Sequence, residues 1–169
     1  AEKAVTSLKR ALPMAIGNDA FRADINSLLG DALHSLERHE ESDEAYRASL
    51  AIEPDNAFVL NNFAYYLSLR GSGLEEAEKM AARAVELEPE NSSFLDTYAW
   101  VLYNLSKYKQ AAEWQEKALA AGGENSAVQQ EHFGDILFRL GRVDEAVATW
   151  QKALDLAGEK AENRAALQR

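Results

Sequence analysis

Residues 23–56 read ADINSLLGDALHSLERHEESDEAYRASLAIEPDN. Near their centre, Leu29 and Gly30 pair a bulky residue with a small one, and Leu33 follows. The arrangement returns as Phe63 and Ala64 with Leu67, Tyr98 and Ala99 with Leu102, and Phe133 and Gly134 with Leu137. The small residues stand 34, 35 and 35 apart. Two further rows keep nearly the same period: Ser42, Ala77, Ala111 and Ala146, then Ser49, Ala84, Ala118 and Ala153. Self-similarity of this kind marks a helical repeat array, in which each unit buries its apolar face against its neighbours. Small side chains in three rows let helices approach closely. A bulky replacement would force them apart, at about 1–3 kcal/mol.

Each unit reads as two helices. In the second, Val59, Phe63, Ala64, Leu67 and Leu69 give the apolar stripe of the first helix. Gly71 and Gly73 supply a tight turn, and Ala77, Ala81, Ala84, Val85 and Leu87 form the stripe of the second helix. Pro89 ends that helix and Asn91 is placed to cap the next. The other turns fall at 38–41, near Ser106 and Lys107, and at Gly141 and Arg142. Pro54 closes unit one, and Gly122, Gly123 and Gly158 are expected to stop the later second helices as left-handed C′ residues. The chain divides into residues 1–22, a lone second helix read over Glu2–Ile16 plus linker, then units at 23–56, 57–91, 92–126 and 127–160. Residues 161–169 read as a capping helix. The half-unit at the start, without an initiator methionine, points to an excised piece of a longer protein. The expected fold is all-α, a right-handed superhelical solenoid of stacked antiparallel helix pairs.

The formal net charge is −10. Nucleic acid and anionic membrane surfaces are therefore not expected partners, and no basic stripe offsets the repulsion. No apolar run approaches the roughly 18 residues of a membrane span. The absence of cysteine excludes disulfides and thiolate metal sites and leaves the compartment open.

These motifs resemble the tetratricopeptide repeat family, whose units carry Leu-Gly or Leu-Ala, then Tyr or Leu, then Ala, an aromatic, Ala and Pro. Unit one matches in LLGDAL and EESDEAYRASLAIEPDN, and unit four in FGDILFRLGRVDEAVATWQKAL. Ser42 and Ser49 replace alanines, Gln115 replaces the usual aromatic, and two units carry one extra residue. The runs VLNNFAYYLSLRG, FLDTYAWVLYNL and GGENSAVQQEHFGDILFRLG are similar to tetratricopeptide proteins of Bacteroidota, often exported to the cell envelope. That resemblance implies a bacterial periplasmic or envelope setting, with the cytoplasm as the alternative.

The resemblance also implies a concave groove lined by the first helices. Unit one would offer Asp24, Ser27, Leu28, Asp31 and His34. Unit two would offer Asn61, Asn62, Tyr65 and Ser68, and unit three Asp96, Thr97, Trp100, Tyr103 and Asn104. Unit four would offer Glu131, His132, Asp135, Phe138 and Arg139. Asparagine can bond a peptide backbone as donor and acceptor. Tyr65, Trp100 and Tyr103 would supply apolar anchors. Asp96, Glu131 and Asp135 would favour a cationic or neutral ligand.

A carboxylate grip like that of tetratricopeptide co-chaperones is disfavoured. Asn62 matches its asparagine, but the basic positions hold Asp24, Leu28, Phe58, Ser93 and Thr97. His34 and His39 flank a turn and are not expected to share a helical face; His132 is expected to bond Glu131 or Asp135. Glu75 and Lys79 read as an exposed i,i+4 pair worth about 0.3–0.5 kcal/mol. No nucleophile, base and orienting group recur together, so no active site, cofactor or metal is expected.

The first functional expectation is a non-enzymatic interaction module or assembly scaffold holding a protein or peptide segment. Its alternatives are a regulatory or substrate-docking segment of a larger enzyme, and a structural spacer or self-association surface.

Overall fold

The computed structural model describes the backbone of residues 1–166 and the side chains of residues 1–158. Nine α-helices and two short 3₁₀ turns make up its regular structure, with no strand among the described residues. A lone helix α1 (Glu2–Ala11) precedes four helix pairs. These are α2 (Asp19–His34) with α3 (His39–Ile52), α4 (Ala57–Arg70) with α5 (Leu74–Leu87), and α6 (Ser92–Asn104) with α7 (Tyr108–Ala120). The last pair is α8 (Ala127–Arg139) with α9 (Val143–Ala166).

All twelve residues of the three small rows are buried. The two serines of unit one are satisfied by the partner helix: Ser42 Oγ donates to the Gly30 carbonyl at 2.8 Å and Ser49 Oγ to the Ala23 carbonyl at 2.9 Å. A hydroxyl therefore stands in for a methyl at a close helix crossing without leaving a polar atom unpaired. Phe63, Ala64, Ala77, Ala81 and Ala84 are fully enclosed at the centre of the largest apolar cluster, which joins units one to three.

Helix ends follow one scheme. Every first helix of a pair starts at a side-chain cap. Asn18, Asn56, Asn91 and Ser126 accept from the backbone N–H three residues on, at 3.1, 3.2, 3.3 and 3.4 Å. The turns within pairs place one left-handed residue at a fixed register: Glu37, Gly71, Ser106 and Gly141, with φ of 59°, 61°, 60° and 76°. Glycine takes this conformation freely, whereas Glu37 and Ser106 hold it at a steric cost.

Four expectations need correction. The turn of unit one occupies residues 35–38 rather than 38–41, because the left-handed residue is Glu37 and α3 begins at His39. The first helix ends at Ala11, and residues Leu12–Ala15 continue as a 3₁₀ turn whose Pro13 has no N–H for an α-helical bond. Gly158 does not stop the last helix, which runs unbroken to Ala166. A single helical glycine costs only about 1 kcal/mol, and the residues after it are good helix formers with neither proline nor a capping Asn or Ser at the expected boundary. The separate cap read at 161–169 is thus continuous with α9 as far as residue 166; residues 167–169 lie outside the described residues. Finally, Glu75 and Lys79 form no ion pair. The neighbouring acids tie α5 to both flanking units instead, Glu76 to Arg47 at 2.9 Å and Glu78 to Lys107 at 2.6 Å.

Candidate peptide-binding groove

The first helices pack on one another, α4 against α6 and α6 against α8, so their outward faces form one strip. Counting from the small residue of each unit puts Asn61, Asp96 and Glu131 at one register position. Tyr65, Trp100 and Asp135 stand at another, four residues on. Residues four apart share a helix face, so the two rows lie side by side.

Rings dominate the middle of this strip. Trp100 stacks on Tyr103 with centroids 4.7 Å apart and on His132 of the next unit at 4.1 Å. Tyr65 lies beside Tyr66, at 6.0 Å between centroids. Tyr65, Trp100 and Tyr103 are all half-buried: wedged between units, yet with part of each ring open. Burial, followed by the charges of Asp96 and Glu131, raises the pKa of the Tyr65 hydroxyl, which places both carboxylates in its field. Burial and then the charge of Asp135 raise that of Tyr103.

The carboxylates have unequal freedom. Asp96 is buried and receives Gln115 Nε2 at 2.6 Å, while His132 Nδ1 lies 3.1 Å from each of its oxygens. The partner of His132 is therefore a residue 36 positions away, not its neighbours Glu131 or Asp135. Asp135 accepts from Trp150 Nε1 at 3.0 Å and so holds its own unit together. Glu131 is exposed and forms no ion pair among the described residues.

The other groove residues divide similarly. Asn104 Nδ2 donates to the Trp100 carbonyl at 2.8 Å, an intrahelical role. Arg139 donates to the Tyr108 hydroxyl at 2.6 Å and lies over that ring at 5.0 Å. Ser68 is buried against the Tyr65 carbonyl, and Thr97 is buried. Asn61 is buried and donates to Asn62 Oδ1 at 3.3 Å. Its own Oδ1 and the Nε1 of Trp100 are buried without a partner among the described residues. Asn62 is half-buried, and Leu28 and Phe138 are exposed, as is Phe58 at 62%.

His34 and His39 do come together, with ring centroids 5.6 Å apart, because the turn folds α3 back beside the end of α2. His34 also stacks on Tyr66 at 3.6 Å. Burial, then the proximity of His39 and of Arg70, lowers the His34 pKa. Arg70 pairs with Asp43 at 2.7 Å beside them.

Sequence reasoning missed Gln115 as the second holder of Asp96, since its partner lies across a helix pair. It also missed that Asp31 and Asp135 are structural. A readable signal existed: Asp31 accepts from the Tyr46 hydroxyl and Asp135 from Trp150, each partner 15 residues on.

Residues 23–56 match the tetratricopeptide repeat family model, and residues 73–153 match the model of anaphase-promoting complex, cyclosome, subunit 3. No curated protein sequence matches at a significant level. Among solved structures, MamA of AMB-1 aligns at a TM-score of 0.71 and 22% identity, over 94% of this chain and 97% of that one. A double mutant of MamA of RS-1 aligns at 0.78 and 14% identity, over 94% and 86%. These likenesses speak to the fold: the described residues form a helical repeat solenoid, and residues 23–56 carry a tetratricopeptide repeat.

Proposed function

We propose that this chain is a non-enzymatic protein-interaction module whose concave face takes a peptide or protein segment, serving as a binding unit or an assembly scaffold. The observation that carries the reading is the half-buried ring strip of Tyr65, Trp100 and Tyr103 on the faces of α4 and α6. Rings held on rigid helices lose little entropy on binding and are the residue types that dominate binding energy. Asn62 and Glu131 flank the strip, while Asp96, Asp135, Asn104 and Arg139 act mainly by fixing its shape. Asp96 and His132 are engaged with Gln115 and Trp100 and so hold the strip in place. A Bacteroidota setting, at the envelope or in the cytoplasm, belongs to the same proposal. It rests on the three runs quoted above, and fractionation of the native host tests it.

A display library of random dodecapeptides, panned on the chain, supplies probes. The Tyr65→Ala/Trp100→Ala double variant is expected to weaken the selected peptides at least ~10-fold while retaining its helical circular dichroism. Equal affinity for both proteins would overturn the groove.

A further inference from the structure

We infer that the centre of the groove is a site for a cationic side chain, so that the segment it takes is basic and studded with apolar residues. This deepens the groove reading and rests on it. By register, five carboxylates, Asp24, Asp31, Asp96, Glu131 and Asp135, stand at concave positions against one permanent cation, Arg139; Asp31, Asp96 and Asp135 already accept from protein donors, and Arg139 donates to the Tyr108 hydroxyl. Charge complementarity selects a basic partner and disfavours a second copy of a chain whose net charge is −10.

Three successive units place acceptors at one register position: Asn61, Asp96 and Glu131. Asn61 is only 8% exposed, yet its Oδ1 receives no hydrogen bond among the described residues. An unpaired acceptor in the same row as two carboxylates calls for a donor. An ammonium carries three N–H groups and a guanidinium five. The next register position supplies Tyr65, whose π face attracts a cation, and Trp100, whose faces are taken by Tyr103 and His132 and which offers its edge. Glu131, exposed and without an ion-pair partner among the described residues, is the charge such a group meets first. Further along the same face Phe58, Val128 and Phe138 are exposed at 62%, 51% and 53%, which accounts for apolar neighbours in the partner sequence.

The same dodecapeptide library, panned on the full chain and sequenced in depth, tests this. The enriched pool should be biased toward Lys or Arg next to aromatic or aliphatic residues. A representative peptide should lose at least ~10-fold in affinity when its Lys or Arg becomes Gln, when Glu131→Gln is introduced, and more with Glu131→Lys. Position 131 is exposed, so both variants are expected to fold. Raising salt from about 50 to about 500 mM should weaken the peptide as well. Acidic or uncharged peptides lost in the Tyr65→Ala/Trp100→Ala variant would overturn the cation site and leave the groove standing. So would a basic pool indifferent to position 131. A pool indifferent to the double variant, or no enrichment, would overturn both readings.

Discussion

The outer and inner units solve the same packing problem in opposite ways. Units one and four place glycine at the close crossing and an aromatic on the second helix, Gly30 with Tyr46 and Gly134 with Trp150. A Cβ on Gly30 would lie 2.7 Å from the Tyr46 ring, and one on Gly134 would lie 2.3 Å from the Trp150 indole. An aspartate beside each glycine then accepts from the ring's polar tip. Units two and three have alanine at the crossing and Ala81 or Gln115 on the second helix, and the ring moves to the first helix as Tyr65 or Trp100. The aromatic is thus on the second helix in the outer units, enclosed as Tyr46 and part-buried as Trp150, and on the concave strip in the inner ones. Within one repeat pattern, the outer units commit their rings to stability and the inner units leave theirs open to a ligand.

Breaking the outer solution should have the largest effect on stability. Gly134→Ala is expected to destabilise the array by about 1–3 kcal/mol in urea melts, because the new methyl meets an indole. Adding Trp150→Ala should recover part of the coupling between the two sites, which strict additivity would contradict. Next comes Asp135→Ala, which strips the acceptor from a part-buried Trp150 N–H and should cost about 1–2 kcal/mol. Glu131→Gln, in the same unit but on the open strip, should stay within about 0.5 kcal/mol of the parent.

The junction of units one and two adds a pH dependence. The folded pKa of His34 lies below its unfolded value, so the unfolded chain binds more protons as pH falls. This contribution to stability is complete above the unfolded pKa, near 6.5, and is lost progressively below it. His34→Phe keeps a ring against Tyr66 and should flatten the difference between melts at about pH 7.5 and about pH 5.5. An unchanged difference would show that His34 carries none of it. The smallest effect is expected in the turns. Glu37→Gly and Ser106→Gly relieve a left-handed conformation and should each stabilise by about 0.5–1 kcal/mol in thermal melts, with Gly71 and Gly141 as the natural reference.

The solenoid was legible because its period is carried by residues with one geometric duty. Gly30, Ala64, Ala99 and Gly134 can only mark close approaches, and Asn91 before an apolar stripe reads as a cap. Proline boundaries were equally plain, whereas Gly158 misled because glycine permits a helix stop without enforcing one. The concave strip was readable as a set of positions but not in its loyalties. Asp135 and Glu131 look equivalent in sequence. Only the placement of Trp150 shows that one carboxylate is occupied and the other free. His34 and His39 were judged by helical spacing, and a tight turn brings together what that spacing separates.

The central claim is that ligands meet the inner units on their concave side. A photo-crosslinking residue at position 62, between Asn61 and the ring strip, should capture the library-selected peptides. The same residue at position 79, where α5 carries the exposed Lys79, should not. Capture at 79 with none at 62 would contradict the account.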